Sequence, residues 1–246
     1  MSIATSPVET RPIFPLPYAA SVLVLVIAFC TAVEWYLGIL GSPEALPRLL
    51  AASRAAVLRG EAQRLLTASF FHLSVLHSVA NSVGVLIVGS YLEFRVGTPR
   101  FVVIALSSAA GSILGSVLIQ YVAWVAGASG MLYGLYGALA ALIVRYWNDW
   151  TFDYQVPRWL AVSSTVALLV VSHVVALRAL PEFAIIDQGN HWSGFAVGAL
   201  ATAFLTRGCP ARELKQENRG ITRIALGGVI LFLIAFVIQA LALWIQ

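Results

Sequence analysis

Ser129 stands in the run Gly127-Ala128-Ser129-Gly130, at the foot of a glycine-rich stretch. Gly127, Gly130, Gly134 and Gly137 recur at spacings of three and four, so on a helix they form one stripe nearly free of side chains. A hydroxyl in the first turn of that helix faces unpaired backbone N–H groups and the positive end of the helix dipole, where an oxyanion can be stabilised. The same stripe also reads as a packing face with a serine at its start. His191 is the second candidate, followed at three and seven residues by Gly194 and Gly198. A neutral imidazole beside a serine hydroxyl can take its proton and later return it to a leaving group, the minimum equipment for acyl transfer. His77 and Asn81 are four apart on one helical face, with His72 just before them. Either can offer a donor that completes an oxyanion site with the Ser129 backbone N–H; polar glue between helices is the other reading of the pair.

The elements that must position these groups are membrane spans. Sixty per cent of the residues are apolar, 11% are charged and the mean hydropathy is strongly positive, which marks an all-α polytopic membrane protein. Seven hydrophobic runs are expected: Tyr18–Leu40, Phe70–Leu92, Phe101–Val122, Ser129–Val144, Trp159–Leu177, His191–Leu205 and Ile221–Trp244. Residues 1–16 form a proline-containing tail, 17–206 a six-helix core, 207–220 a basic loop and 221–246 the seventh span. The tail lacks a basic region leading into a short apolar segment, so no cleaved leader is expected. The long connection Gly41–Gln63, with arginines among Leu and Ala, predicts amphipathic pieces on the membrane surface, and Glu34-Trp35-Tyr36 an interfacial belt. Ten of the fifteen basic residues fall on the side of the N-terminal tail, which places the N-terminus in the cytoplasm and the C-terminus outside. The spread of those charges over loops argues against nucleic acid as a partner, and Cys30 and Cys209 suggest neither a disulfide nor a metal site.

The fourth and sixth runs are 16 and 15 residues long, shorter than the ~20 that cross the hydrocarbon core. Both enter from the outer side, so their first residues are submerged beside protein or a water-filled cavity. Ser129 and His191 occupy those starts. Docking of Gly194 and Gly198 against the stripe of the fourth span would bring them together. His173 reads as an interhelical hydrogen bonder, Asp187 as a solvated loop residue, and Asp149 and Asp153 as part of a cytoplasmic interfacial loop.

Taken together, these residues resemble the rhomboid intramembrane serine proteases. Gly127-Ala128-Ser129-Gly130 matches the family's G-x-S-G, and His191 with Gly194 and Gly198 matches its histidine helix. The resemblance implies a Ser/His dyad with no acidic third member and Tyr133 stacked on the histidine. It also implies His77 and Asn81 at the oxyanion site, and His72 as the preceding histidine. Glu93-x-Arg95-x-Gly97 looks like the segment that closes the second span, and the seventh span resembles the six-plus-one arrangement of some members. Gln63 stands before Arg64-Leu65-Leu66-Thr67 where the family usually carries tryptophan.

The resemblance implies an endopeptidase that cuts transmembrane segments of other proteins near their outer ends, in the plasma membrane of a bacterium, with the lipid bilayer as its medium. It implies no metal and no organic cofactor. A rhomboid-like protein that binds membrane clients without cutting them is the alternative, and it would require neither Ser129 nor His191. A small-solute transporter would call for inverted repeats or charges at mid-span, and neither is evident.

Overall fold

The computed structural model describes residues 17–41, 44–72, 74–119, 123–148, 187–216 and 218–245, with scattered positions between 159 and 174. The tail, His173, Asp149 and Asp153 lie outside the described residues, as does most of the expected fifth span. What is described is an all-α polytopic membrane protein. Four stretches are long and apolar enough to cross a bilayer: Tyr18–Tyr36, Val75–Val96, Thr98–Ile119 and Arg219–Ala242. Their lipid-facing sides carry exposed Leu25, Phe29, Leu118, Leu226 and Leu231, surface that would be untenable in water.

Helix α1 covers Tyr18–Tyr36 and ends four residues before the expected Leu40. Gly38 turns left-handed there (φ 66°) and returns its N–H to Trp35 at 3.0 Å, which stops the helix. Trp35 and Tyr36 are exposed, as an interfacial belt requires. Glu34 is not part of that belt, because it is fully buried.

The first loop folds into short helices, α2 (Ala45–Leu49), α3 (Arg54–Leu58) and α4 (Arg64–Thr67), then a 3-10 turn at Ala68–Phe70. Arg64 pins it from inside: its guanidinium is buried and donates to the Ala51 carbonyl (2.6 Å), the Arg48 carbonyl (2.9 Å) and Glu61 (2.7 Å). Partial burial would raise the Glu61 carboxyl, but hydrogen bonds from Arg59 and Arg64 outweigh it and hold it below the usual carboxylate range.

The second span is α5 (Val75–Gly84), a π-helical turn at Val85–Gly89 and α6 (Ser90–Val96). Glu93 near its C-terminal end accepts from the backbone N–H groups of Ala19 (3.1 Å) and Ala20 (2.9 Å), capping the start of α1 with a carboxylate. α7 spans Thr98–Ile119, and α8 spans Ser129–Arg145. α9 spans Gln188–Leu205, and α10 spans Arg219–Ile245. The expected starts and ends of the seventh span shift by one or two residues, ordinary fraying of a helix boundary.

The sixth span requires a larger correction. α9 begins three residues before His191, because Asp187 caps it by accepting the Asn190 N–H at 3.0 Å. The Ser116 hydroxyl of α7 donates to the other carboxylate oxygen. Asp187 is therefore a cap tied to α7 rather than a solvated loop residue, and His191 lies one turn inside the helix rather than at its first residue.

At the centre, α7, α8 and α9 pack against one another, with every residue from Met131 to Leu139 buried. The contact is backbone on backbone. A Cβ on Gly194 would run into the Gly130 carbonyl, one on Gly198 into the Gly134 carbonyl, and one on Gly137 into the Phe195 carbonyl. Lipid tails are as apolar as leucine, so this close van der Waals approach, and not water exclusion, holds the helices together. Arg100 closes the end of the bundle away from Ser129. Its buried guanidinium meets the carbonyls of Leu205 (3.4 Å), Leu214 and Gln216 (3.3 Å), fastening the loop after α9 to α7.

Candidate active site

Three elements converge at one end of the bundle: the start of α8, the start of α9 and the entry into α5. The chain reaches α8 through Gly127, whose φ of 120° only glycine adopts without strain. Its N–H donates to Ala68 at 3.0 Å, and two residues earlier Val125 exchanges a pair of backbone hydrogen bonds with Ala52 (2.7 and 2.9 Å). The first loop and the approach to Ser129 are thus knitted by three backbone hydrogen bonds among four residues. A Cβ on Gly127 would stand 2.8 Å from His77 Cε1, so glycine is also what lets the imidazole lie against this turn.

Ser129 is the first residue of α8, half-buried, and its Oγ lies 3.0 Å from His191 Nε2. That is hydrogen-bond distance for proton transfer between a hydroxyl and a ring nitrogen. The His191 ring is buried and stacks on Tyr133 with centroids 4.2 Å apart and planes 8° from parallel. Stacking fixes the plane of the imidazole, and the Gly130–Gly194 contact fixes the separation of the helices that carry the two side chains. Gly130 also lies under Asn190 and Ser112, which a Cβ there would strike. The backbone N–H groups of Ser129 and Gly130, in the first turn, have no acceptor within the helix.

His72 is fully buried at the end of the first loop. Its Nε2 faces the Ala128 N–H at 3.2 Å and Asn81 Nδ2 at 3.1 Å, so it is the acceptor and the ring proton sits on Nδ1. The residue before Ser129 is therefore held by His72. Asn81 Nδ2 keeps a second hydrogen, which is the donor an oxyanion could use. The His77 ring meets that of His72 edge-on with centroids 5.1 Å apart, and Ser74 caps α5 by accepting the His77 N–H at 3.2 Å.

The structure thus brings together Ser129, His191, Tyr133, His72, His77, Asn81 and the glycines at 127, 130, 194 and 198. Sequence reasoning missed Glu34. Its carboxylate oxygens accept the His72 N–H at 3.1 and 3.3 Å, so a buried acid on α1 holds the histidine that holds Ala128. A carboxylate within an otherwise apolar run was the available signal. Asn190 and the Ser116–Asp187 link carried none, since they matter only once α7 and α9 are side by side. Among the described residues no cluster of His, Cys, Asp and Glu is arranged to hold a metal ion.

A family model described as the Rhomboid domain matches residues 59–208, more than half of the chain, and covers Ser129, His191, Tyr133, His72, His77, Asn81 and their glycines, though not Glu34. The RHOMBOID-like protein 1 of Arabidopsis thaliana is 29% identical over 153 residues, which covers 61% of this chain and 36% of the relative. Rhomboid-like protease 3 of Toxoplasma gondii is 38% identical over 84 residues, covering 34% and 32% of the two chains. Rhomboid protease GluP of Bacillus subtilis is 35% identical over 97 residues, covering 39% and 19%. The chain therefore spans well under two thirds of the length of these relatives. With the family match lying over the same helices that bring Ser129 and His191 together, the chain belongs to the rhomboid family of multi-pass membrane proteins.

Proposed function

We propose that the protein is an intramembrane serine endopeptidase that cuts transmembrane segments of other membrane proteins near their outer ends. The observation that carries this reading is the 3.0 Å contact between Ser129 Oγ and His191 Nε2 inside a membrane bundle. That two relatives are described as proteases supports it. In the reaction Ser129 Oγ attacks the scissile carbonyl carbon while its proton passes to His191 Nε2. The carbonyl π electrons move to oxygen, and the oxyanion is met by the Ser129 N–H and by donors from Asn81 and His77. Collapse breaks the C–N bond, and His191 returns the proton to the departing amine. A water then gives its proton to His191 and attacks the acyl-serine, releasing the carboxylate product and restoring the hydroxyl.

A regular helix hides its carbonyls in hydrogen bonds, so substrates should carry small or helix-breaking residues near the cut. The deciding experiment incubates purified protein with a model membrane substrate, wild type beside Ser129→Ala, and determines fragment masses. A single cut made only by the wild type is expected. An intact substrate that stays bound to both forms would favour client binding without catalysis.

Asn81→Ala and His77→Ala should each lower turnover, by roughly 10²–10³ where one oxyanion donor is lost. Ser129 should still be labelled by a fluorophosphonate, because the backbone donors remain. Full activity in the double variant would remove both side chains from the site. The charge balance further supports an N-terminus in the cytoplasm, so that in a bacterial plasma membrane, the setting proposed here, the site would open on the outer side. A reporter fused after Gln246 should be active only outside; a cytoplasmic signal overturns this orientation.

A further inference from the structure

The last helix, α10, lies outside the residues that the family model matches, yet it grips the loop that carries His72. Phe232 and Phe236 pack on Phe70 with ring centroids 4.8 and 5.9 Å away, and Phe236 also meets Phe71 at 6.0 Å. Phe70 and Phe71 immediately precede His72. One turn further along, Gln239 Nε2 donates to the Leu49 carbonyl at the end of α2. Gln239 is 2% exposed, while its neighbours Val237, Ile238 and Leu241 are exposed. A buried carboxamide in a membrane helix costs free energy unless partners take its hydrogen bonds, and here the partner of its Nε2 donor is the backbone of the first loop.

We propose that Gln239, Phe232 and Phe236 are positioning residues for the serine and histidine, acting through the first loop. The route is continuous. α10 fixes Leu49 and Phe70-Phe71, the chain passes directly to His72, and His72 Nε2 fixes the Ala128 N–H next to Ser129. Glu34 holds the same histidine from the opposite side, through its backbone N–H. The segment is therefore clamped between the first and last helices of the described chain. An ångström of play at His72 would pass to the turn that aims Ser129 Oγ at His191.

This inference rests on the Ser/His reading, and one set of measurements separates the two. Full-length wild type, Gln239→Met, Phe232→Ala, Phe232→Leu and the lipid-facing control Leu233→Ala are reconstituted in vesicles. For each, three quantities are measured: the rate of fluorophosphonate labelling at Ser129, kcat and KM for a membrane substrate, and the thermal midpoint. Gln239→Met, which keeps volume and loses the donor, should lower kcat and labelling together by about tenfold with KM nearly unchanged, as expected when a misplaced group weakens the chemical step. Phe232→Ala should do the same, Phe232→Leu should recover most of the rate, and Leu233→Ala should match wild type. Labelling and kcat at wild-type values in Gln239→Met and Phe232→Ala overturn the positioning role, whatever happens to the thermal midpoint. So does a loss that appears in KM alone. A wild type that is never labelled at Ser129 overturns the Ser/His reading, and the positioning role falls with it.

Discussion

Ser129→Ala, His191→Ala and the double variant should all show the same residual turnover, lower than wild type by on the order of 10⁶. The reason is that the hydroxyl and the imidazole act on one proton. Without His191 the hydroxyl is a weak nucleophile, and without Ser129 the ring has nothing to activate, so the second substitution removes nothing that the first left. Their 3.0 Å contact and the stacking of Tyr133 put both side chains in a single arrangement. Single-turnover cleavage in vesicles, followed long enough to see the residual rate, provides the check. Losses that multiply would mean that the two residues work independently.

Gly198→Ala should also slow the protein, by far less than the loss of either dyad residue, although it touches neither. The added Cβ meets the carbonyl oxygen, carbonyl carbon and Cα (2.7 Å) of Gly134, all backbone, so no side chain can turn aside and the helices must part. Overpacking of this kind costs about 1–3 kcal/mol. Since His191 rides on α9 and Ser129 on α8, the same displacement should cost about 10²-fold in turnover. Gly227→Ala on α10 is the matched control, because nothing lies within 4 Å of the position its Cβ would take. Thermal unfolding in detergent and cleavage of a membrane substrate measure the two effects. A Gly198→Ala protein with wild-type stability and rate would show that the helix pair is free to adjust.

Much of the arrangement was legible because it follows from periodicity. Glycines at three- and four-residue spacings announce a close helix pair, and histidine and asparagine four apart announce a shared face. Those patterns are local, and the structure places Gly194 and Gly198 on Gly130 and Gly134. What could not be read depends on contacts between distant segments. Glu34 looked interfacial beside Trp35 and Tyr36 until His72, 38 residues away, supplied its donor. Asp187 looked solvated until Ser116 of α7 reached it, 71 residues away. The basic residues were read as loop charges, yet Arg64 and Arg100 are buried and spend their hydrogen bonds on carbonyls, a role that charge counting does not detect.

The bond between Gln239 and Leu49 joins positions 190 residues apart, and its meaning changes when the order of synthesis is considered. The chain emerges N-terminus first, so the first loop and Ser129 exist while α9 and α10 are still to be made. Ser129 waits 62 residues for His191, and the first loop waits until almost the last turn of α10 for its clamp. A nascent chain therefore passes through the insertion machinery, among other unfolded membrane segments, before the proposed Ser/His site is complete. On the proposed protease reading, competence would arrive only once α10 has been made, which makes synthesis of that helix the safeguard.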